Sequence, residues 1–183
     1  MLKKLIQALY YPAVLGTGFV LLLNKLVIQP AASVVVADVT NHFAVLLILF
    51  FSIAYLVNDS VPVDSYGVLP FVLDLAEIAM VFLCFFYLGF MQPDKPDAVN
   101  LSRFYFALAI VPCLQQCWNV AVGLTDRRRV LLSGAVLAFL LCGGLWGWRF
   151  QAFNVGAVPL LAAALFAYLR LLGRPGHSEA VLS

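Results

Sequence analysis

Long apolar runs, separated by short polar segments, make up nearly all of this chain. Within each run the apolar residues are continuous and do not alternate with polar ones, which favours helices over the strands of a membrane barrel. A helix that crosses the hydrocarbon of a bilayer needs about 20 mostly apolar residues. We therefore predict about six transmembrane helices, at Leu5–Ile28, Val34–Leu56, Val68–Met91, Phe104–Leu124, Val130–Trp148 and Phe153–Leu172.

Turn-forming and charged residues separate the predicted helices. Four of the junctions contain Pro30, Pro62, Gln92–Asp97 and Arg127–Arg129. The fifth junction, at Arg149–Gln151, is so short that the last two helices are expected to form an antiparallel hairpin. The predicted fold is an all-α polytopic membrane bundle, with residues 1–183 forming a single transmembrane domain.

The composition agrees with this placement. Of the 183 residues 64% are hydrophobic and 11% charged, whereas soluble domains carry about 25% charged residues. The longest polar connections, Asn58–Gly67 and Gln92–Arg103, are too short to bury a core of their own. The first apolar run, Leu5–Leu23, is longer than a signal-peptide core and is predicted as an uncleaved span, with cleavage near Ala31 as the alternative. A net charge of +2 does not favour a nucleic-acid partner.

Lysine and arginine counts predict the orientation, because cytoplasmic loops carry an excess of both residues. If the amino terminus is cytoplasmic and all six helices cross, seven basic residues fall on the cytoplasmic side and four on the other. The seven are Lys3, Lys4, Arg127, Arg128, Arg129, Arg170 and Arg174, and the four are Lys25, Lys95, Arg103 and Arg149. We therefore predict a protein of the inner or plasma membrane with both termini in the cytoplasm.

Four ionisable residues lie well inside the predicted spans. Asp38 and His42 share one face of the second helix, and Asp74 and Glu77 share one face of the third. A charge at the centre of a membrane helix costs about 2.5–3.5 kcal/mol on insertion scales, so such residues usually mark function. Two carboxylates in a medium of low dielectric repel each other, so we expect a proton on one of them or a cation between them.

The fourth helix adds Gln115 and Asn119, one turn apart on the same face. At 1.5 Å per residue the Asp38/His42 pair lies roughly 10–15 Å from the Asp74/Glu77 pair along the membrane normal. This separation is too large for one metal ion, and no metal or cofactor site is predicted. It suits two stations on a hydrated path, with Gln115 and Asn119 at mid-depth as further pathway residues.

Each of these polar residues also has a purely structural interpretation. Asp38 suits a helix cap, and His42 suits a hydrogen bond to a backbone carbonyl. The Asp74/Glu77 pair lies close enough to the helix start to extend toward the cytoplasmic interface. Gln115 and Asn119 suit hydrogen bonds between helices.

Other features concern packing. Gly143 and Gly147 form a small-xxx-small pattern that lets helices approach closely. Pro12 is expected to bend the first helix. The cysteines, Cys84, Cys113, Cys117 and Cys142, all lie in apolar segments and are interpreted as buried thiols. Aromatic residues at predicted helix ends suit interfacial belts: Tyr10 and Tyr11, Phe104–Phe106, and Trp146 with Trp148.

Three functions fit this pattern. The first is a channel or transporter for an ion, a proton or a coupled solute, lined by the buried carboxylates and built as a homo-oligomer. The second is a non-catalytic subunit or sensor that docks a partner protein on the Arg127, Arg128 and Arg129 loop. The third, an intramembrane enzyme acting on a lipid-like substrate, is disfavoured by the distance between the acid–base groups.

Overall fold

The structure is a computed structural model that describes residues 2–28, 33–51, 66–91, 99–124 and 127–150. The described residues form helices and turns, without a strand among them, so the prediction of an all-α chain is confirmed for this part. The elements are α1 (Leu2–Leu5), a π-helical turn (Ile6–Tyr10), α2 (Tyr11–Ile28), α3 (Ser33–Phe51), α4 (Val68–Tyr87), α5 (Leu101–Ala121) and α6 (Arg127–Phe150).

Three described helical segments are long and apolar enough to cross a membrane. They are Leu2–Val27, Val68–Tyr87 and Leu101–Ala121, and they correspond to the first, third and fourth predicted spans. The helices α3 and α6 overlap the second and fifth predicted spans, and residues 52–56 of the second span lie outside the described residues. The sixth, Phe153–Leu172, lies outside the described residues.

A π-helical turn interrupts the first helix just before a proline. The N–H of Tyr11 donates to the carbonyl of Ile6, five residues back, where an α-helix would use the fourth. Pro12 has no N–H, and its ring crowds the carbonyl four residues before it, so a wider turn relieves the conflict. The proline therefore loosens the local hydrogen bonding, as its position in the sequence predicts.

Glycines end both α4 and α5. Gly89 and Gly123 have φ angles of 73° and 78°, a backbone region that costs glycine little. Beyond each glycine the chain turns back on the helix, and the N–H of Phe90 donates to the carbonyl of Phe85 at 3.1 Å. At the end of α5 the N–H of Leu124 donates in the same way to the carbonyl of Asn119 at 2.8 Å. Both helices thus end in Schellman motifs, which satisfy carbonyls that would otherwise lack partners.

The helices alternate in direction. Lys25 is hydrogen-bonded to Leu88, and Tyr11 to Asp74, and each pair is separated by 63 residues in the sequence. Because the separation is the same at both contacts, α2 and α4 run parallel. Ring contacts of Tyr11 with Phe50, and of Phe19 with Phe43, place α3 antiparallel to α2.

The same reasoning orders the last two described helices. The thiol of Cys84 contacts the carbonyl of Phe104, and the N–H of Asn100 donates to the carbonyl of Tyr87. These contacts set α5 antiparallel to α4. Two further bonds, from Ser102 to Gly144 and from Gln116 to Arg129, set α6 antiparallel to α5.

Small residues allow the closest helix approaches. A Cβ atom on Gly18 would lie 2.7 Å from the ring of Phe85. On α6, a Cβ atom on Gly143 would lie 3.1 Å from Tyr105, and one on Gly144 would lie 3.0 Å from Phe106. Gly143 therefore packs against α5, in line with its predicted role. The surroundings of its predicted partner Gly147 lie outside the described side chains.

Candidate functional site

The two acidic residues of α4 are completely buried. Asp74 and Glu77 are both 0% exposed, so neither extends to the interface as the structural interpretation suggested. Two tyrosines satisfy Asp74: the hydroxyl of Tyr11 donates to Oδ1 at 3.0 Å, and the hydroxyl of Tyr66 donates to Oδ2. The carboxylate is therefore held between α2 and the residues that precede α4.

Local structure explains how these tyrosines reach Asp74. Tyr11 follows the π-helical turn and belongs to the buried face of α2, which also carries Val14, Gly18 and Lys25. Tyr66 lies two residues before α4 begins. Burial, and then the hydrogen bond to Asp74, raise the pKa of Tyr66 well above its ordinary value of 10.0. The Tyr66 hydroxyl therefore keeps its proton and remains a donor throughout the physiological range.

Glu77 is in a different situation from Asp74. Neither of its carboxylate oxygens has a hydrogen-bond partner among the described residues, although both are buried. Asp74 lies three residues earlier on the same face of α4, so its carboxylate is a close neighbour of Glu77. A buried carboxylate without donors is costly unless a proton or a cation neutralises it. Glu77 is therefore the carboxylate of this site that no described residue satisfies.

Further polar groups of α5 lie at the same depth. Cys84 of α4 contacts Phe104 of α5, and the two helices run antiparallel. Counting the same number of residues along each helix from this contact places Gln115 at about the level of Asp74. The ring of Trp118 lies 6.4 Å from that of Tyr66, which extends the same register. Gln115 donates to Asn119 Oδ1 at 3.4 Å, and both residues are buried. The sequence placed these amides midway between two stations, whereas the helix register places them beside Asp74 or beyond it.

Glu77 and Gln115 belong to neighbouring antiparallel helices and lie about one turn apart in level. Side chains of a helix lean toward its amino terminus. On antiparallel helices the two leans are opposed, so Glu77 leans toward the level of Asp74 while Gln115 leans back toward the level of Glu77. Within the described residues, Oε1 of Gln115 and Nε1 of Trp118 are also buried without a hydrogen-bond partner.

His42 lies away from this cluster. Its imidazole is buried edge-on to the rings of Phe104 and Tyr105, at centroid distances of 5.8 and 5.6 Å. Phe104 lies at the level of Cys84, so His42 lies about 13 Å along the bundle from the midpoint of the acid pair, at 1.5 Å per residue. The predicted separation into two levels therefore agrees with the helix register. Asp38 lies on α3, but its side chain is outside the described set.

Apolar side chains fill the bundle between these two levels. Buried residues there include Ile78, Val81, Leu108 and Val111. Above them, the rings of Phe43, Phe85 and Phe90 pack at centroid distances of 5.5–6.0 Å. The described interior therefore has a dry segment between the acid pair and His42.

Sequence patterns missed Tyr11, Tyr66, Trp118 and Lys25. Tyr11 was assigned with Tyr10 to an interfacial belt, yet Tyr11 is 0% exposed while Tyr10 is 36% exposed. Lys25 was counted only as a basic residue of the non-cytoplasmic side, but its ammonium donates to the carbonyls of Leu88 and Gly89 at 3.2 Å each. The common stripe of Tyr11, Gly18 and Lys25 on one helical face was the signal available in the sequence.

The structure also shows where the predicted basic cluster and the four cysteines lie. Arg127–Arg129 form the first turn of α6 and not a loop. Cys84 is buried as expected, whereas Cys113, Cys117 and Cys142 are exposed, and all four thiols are free. Among the described residues, no three His, Cys, Asp or Glu side chains group as a metal site would require.

Comparison with known proteins adds no family to this picture. No protein-family model, no curated protein and no solved structure matches the chain.

Proposed function

We propose that this chain is a small membrane transport protein that carries protons or another cation, alone or coupled to a solute. In this proposal about six helices span an inner or plasma membrane, both termini are cytoplasmic, and copies associate as a homo-oligomer. Asp74 and Glu77 form the principal binding station, with Gln115 and Asn119 beside it. Asp38 and His42 form the second station.

The main observation behind this proposal is the buried carboxylate of Glu77, unsatisfied by the residues that the structure describes. Its carboxylate is fully buried, and its oxygens have no donor among the described residues. A group whose charge is unbalanced in this way takes up a proton or a cation more readily than a satisfied ion pair does. Asp74, held by Tyr11 and Tyr66, supplies a fixed negative neighbour for the incoming positive charge.

The dry segment favours a transporter over an open channel. Ions cannot cross packed apolar side chains such as Val81 and Leu108 without water or a polar partner. A cation bound at Glu77 would therefore reach His42 only after the helices rearrange, as in alternating access. The π-helical turn and Pro12 lie beside the acid station and supply a place where α2 can bend.

Reconstitution tests this function directly. We expect purified protein in liposomes to carry a proton or Na⁺/K⁺ flux that falls by about tenfold or more in Glu77→Gln, because the amide neither binds a proton nor balances a cation. Glu77→Asp keeps the carboxylate and should retain part of the flux. Circular dichroism should show the same helicity in all three proteins. Equal flux in wild type and Glu77→Gln would refute the proposal.

The intramembrane enzyme is less well supported. General acid–base catalysis requires its groups within hydrogen-bond reach of one substrate. The distance of about 13 Å between the levels of His42 and the acid pair exceeds that reach. The role of a docking subunit predicts instead that a soluble protein co-purifies and is lost when Arg127 and Arg129 are replaced by Gln.

A further inference from the structure

Glu77, Gln115 and Trp118 each have a buried polar atom without a hydrogen-bond partner among the described residues. In the part of the chain that the structure describes, both oxygens of Glu77 and Oε1 of Gln115 are acceptors without a donor. Nε1 of Trp118 is a donor without an acceptor. Buried polar groups are nearly always paired in folded proteins, so several unpaired groups in one part of the bundle point to a ligand.

The chemistry of these groups defines the ligand class. Three acceptor oxygens, two of them on the Glu77 carboxylate, suit a cation that carries several N–H donors. The rings of Tyr66 and Trp118, 6.4 Å apart, provide aromatic faces of the kind that attract ammonium groups. An indole N–H cannot coordinate a metal ion, and the described residues offer no cluster of metal ligands.

We propose that the Glu77 station binds a small primary ammonium ion, whose N–H groups donate to Glu77 and Gln115. This inference rests on the proposed transport function and narrows its substrate to a class. The helix register supports it, because Gln115 lies about one turn in level from Glu77 on the neighbouring antiparallel helix. Asp74 stays with its two tyrosines and adds negative potential without a direct bond to the ligand.

The neighbouring glutamines of α5 provide a matched pair of variants. Gln115 is buried and bonded to Asn119, whereas Gln116 is partly buried and donates to the carbonyl of Arg129 on α6. Gln115→Leu should weaken binding because it removes an acceptor. Gln116→Leu makes the same change at the contact between α5 and α6, away from Glu77. We expect this variant to bind the ammonium ion like wild type.

The experiment measures equilibrium binding of radiolabelled methylammonium to the full chain in nanodiscs. We expect saturable binding that ammonium displaces and that tetramethylammonium, which has the charge but no N–H, does not. Glu77→Gln should bind about tenfold more weakly or worse, since it removes a charge-assisted hydrogen bond. Thermal unfolding of each variant verifies that the bundle is intact.

The outcomes separate this inference from the proposed function. If Glu77-dependent proton flux occurs but methylammonium does not bind saturably, the ammonium inference is overturned and transport stands. Equal displacement by K⁺ or tetramethylammonium would also overturn it, because the N–H donors would then be irrelevant. Absence of any Glu77-dependent flux would remove the transport function on which the inference rests.

Discussion

At the residue scale, the pair Tyr10 and Tyr11 shows how strongly one position along a helix changes a side chain's role. Adjacent residues of an α-helix point about 100° apart, so one tyrosine faces outward while the other faces the bundle. Tyr11 is buried and donates to Asp74, and it also packs edge-on against Phe50 at 5.3 Å. Tyr10 remains at the surface. The same hydroxyl group therefore bonds to a buried acid in one case and lies at the surface of the bundle in the other.

The Tyr11→Phe variant tests this hydrogen bond. Removing the hydroxyl leaves Asp74 with one donor fewer in a buried site, and we expect a loss of about 1–2 kcal/mol in the free energy of unfolding. Tyr10→Phe removes the same atom at the surface and should change stability by less than about 0.5 kcal/mol. Denaturant unfolding in detergent micelles measures both. Equal stability of the two variants would show that the bond to Asp74 is not stabilising.

At the element scale, the approach of α2 to α3 and α4 depends on one glycine. A Cβ atom at Gly18 would meet Phe85 at 2.7 Å and Phe43 at 3.1 Å, and both rings belong to the buried aromatic cluster. Two residues earlier, Gly16 has nothing within 4 Å of the corresponding position. Lys25 then joins the ends of α2 and α4 through the carbonyls of Leu88 and Gly89.

Alanine substitutions at these two glycines should have opposite effects. Gly18→Ala forces the rings of Phe85 and Phe43 to move and should lower the free energy of unfolding by about 1–3 kcal/mol. Gly16→Ala adds a methyl group in open space and should be neutral or stabilising by up to about 1 kcal/mol, because alanine favours helix. Thermal unfolding of both variants checks the contrast. If both alanines were neutral, the close approach of α2 to these rings would be disproved.

At the scale of the whole molecule, alternating helices place the two ends of α4 on opposite sides of the bundle. Gly67 and Tyr66 lie at the end that holds the acid pair, together with Gly123 and the start of α6. Met91, the end of α2 and the start of α5 lie at the other end. The basic cluster at Arg127–Arg129 belongs to the acid-pair end, and under the positive-inside rule we propose that this end faces the cytoplasm.

Cysteine labelling tests this arrangement. In a background with the four native cysteines replaced by alanine, Met91→Cys should react with a membrane-impermeant maleimide in intact cells. Gly67→Cys should react only after permeabilisation. Both positions are exposed, and a Cβ atom at Gly67 has open space, so neither change should perturb the fold. Labelling of both from one side would contradict a membrane crossing by α4.

The acid site was predictable only in part. Asp74, Glu77, Gln115 and Asn119 were identified because polar residues in long apolar runs are costly and rare. Their partners were not, because a tyrosine or a tryptophan near a helix end is compatible with both a lipid interface and a buried contact. The bond between Tyr11 and Asp74 spans 63 residues, and no local pattern in the sequence encodes which distant side chain will be the donor.

The linear order of apolar and polar residues determined that the chain folds as helices suited to a membrane, and where most of them begin and end. It did so because hydrophobic length, proline and glycine act locally on the backbone. Only the tertiary structure decided that Asp74 is satisfied while Glu77, three residues away, is not. That difference depends on which helices pack side by side and in what register, a property of contacts between segments far apart in the chain.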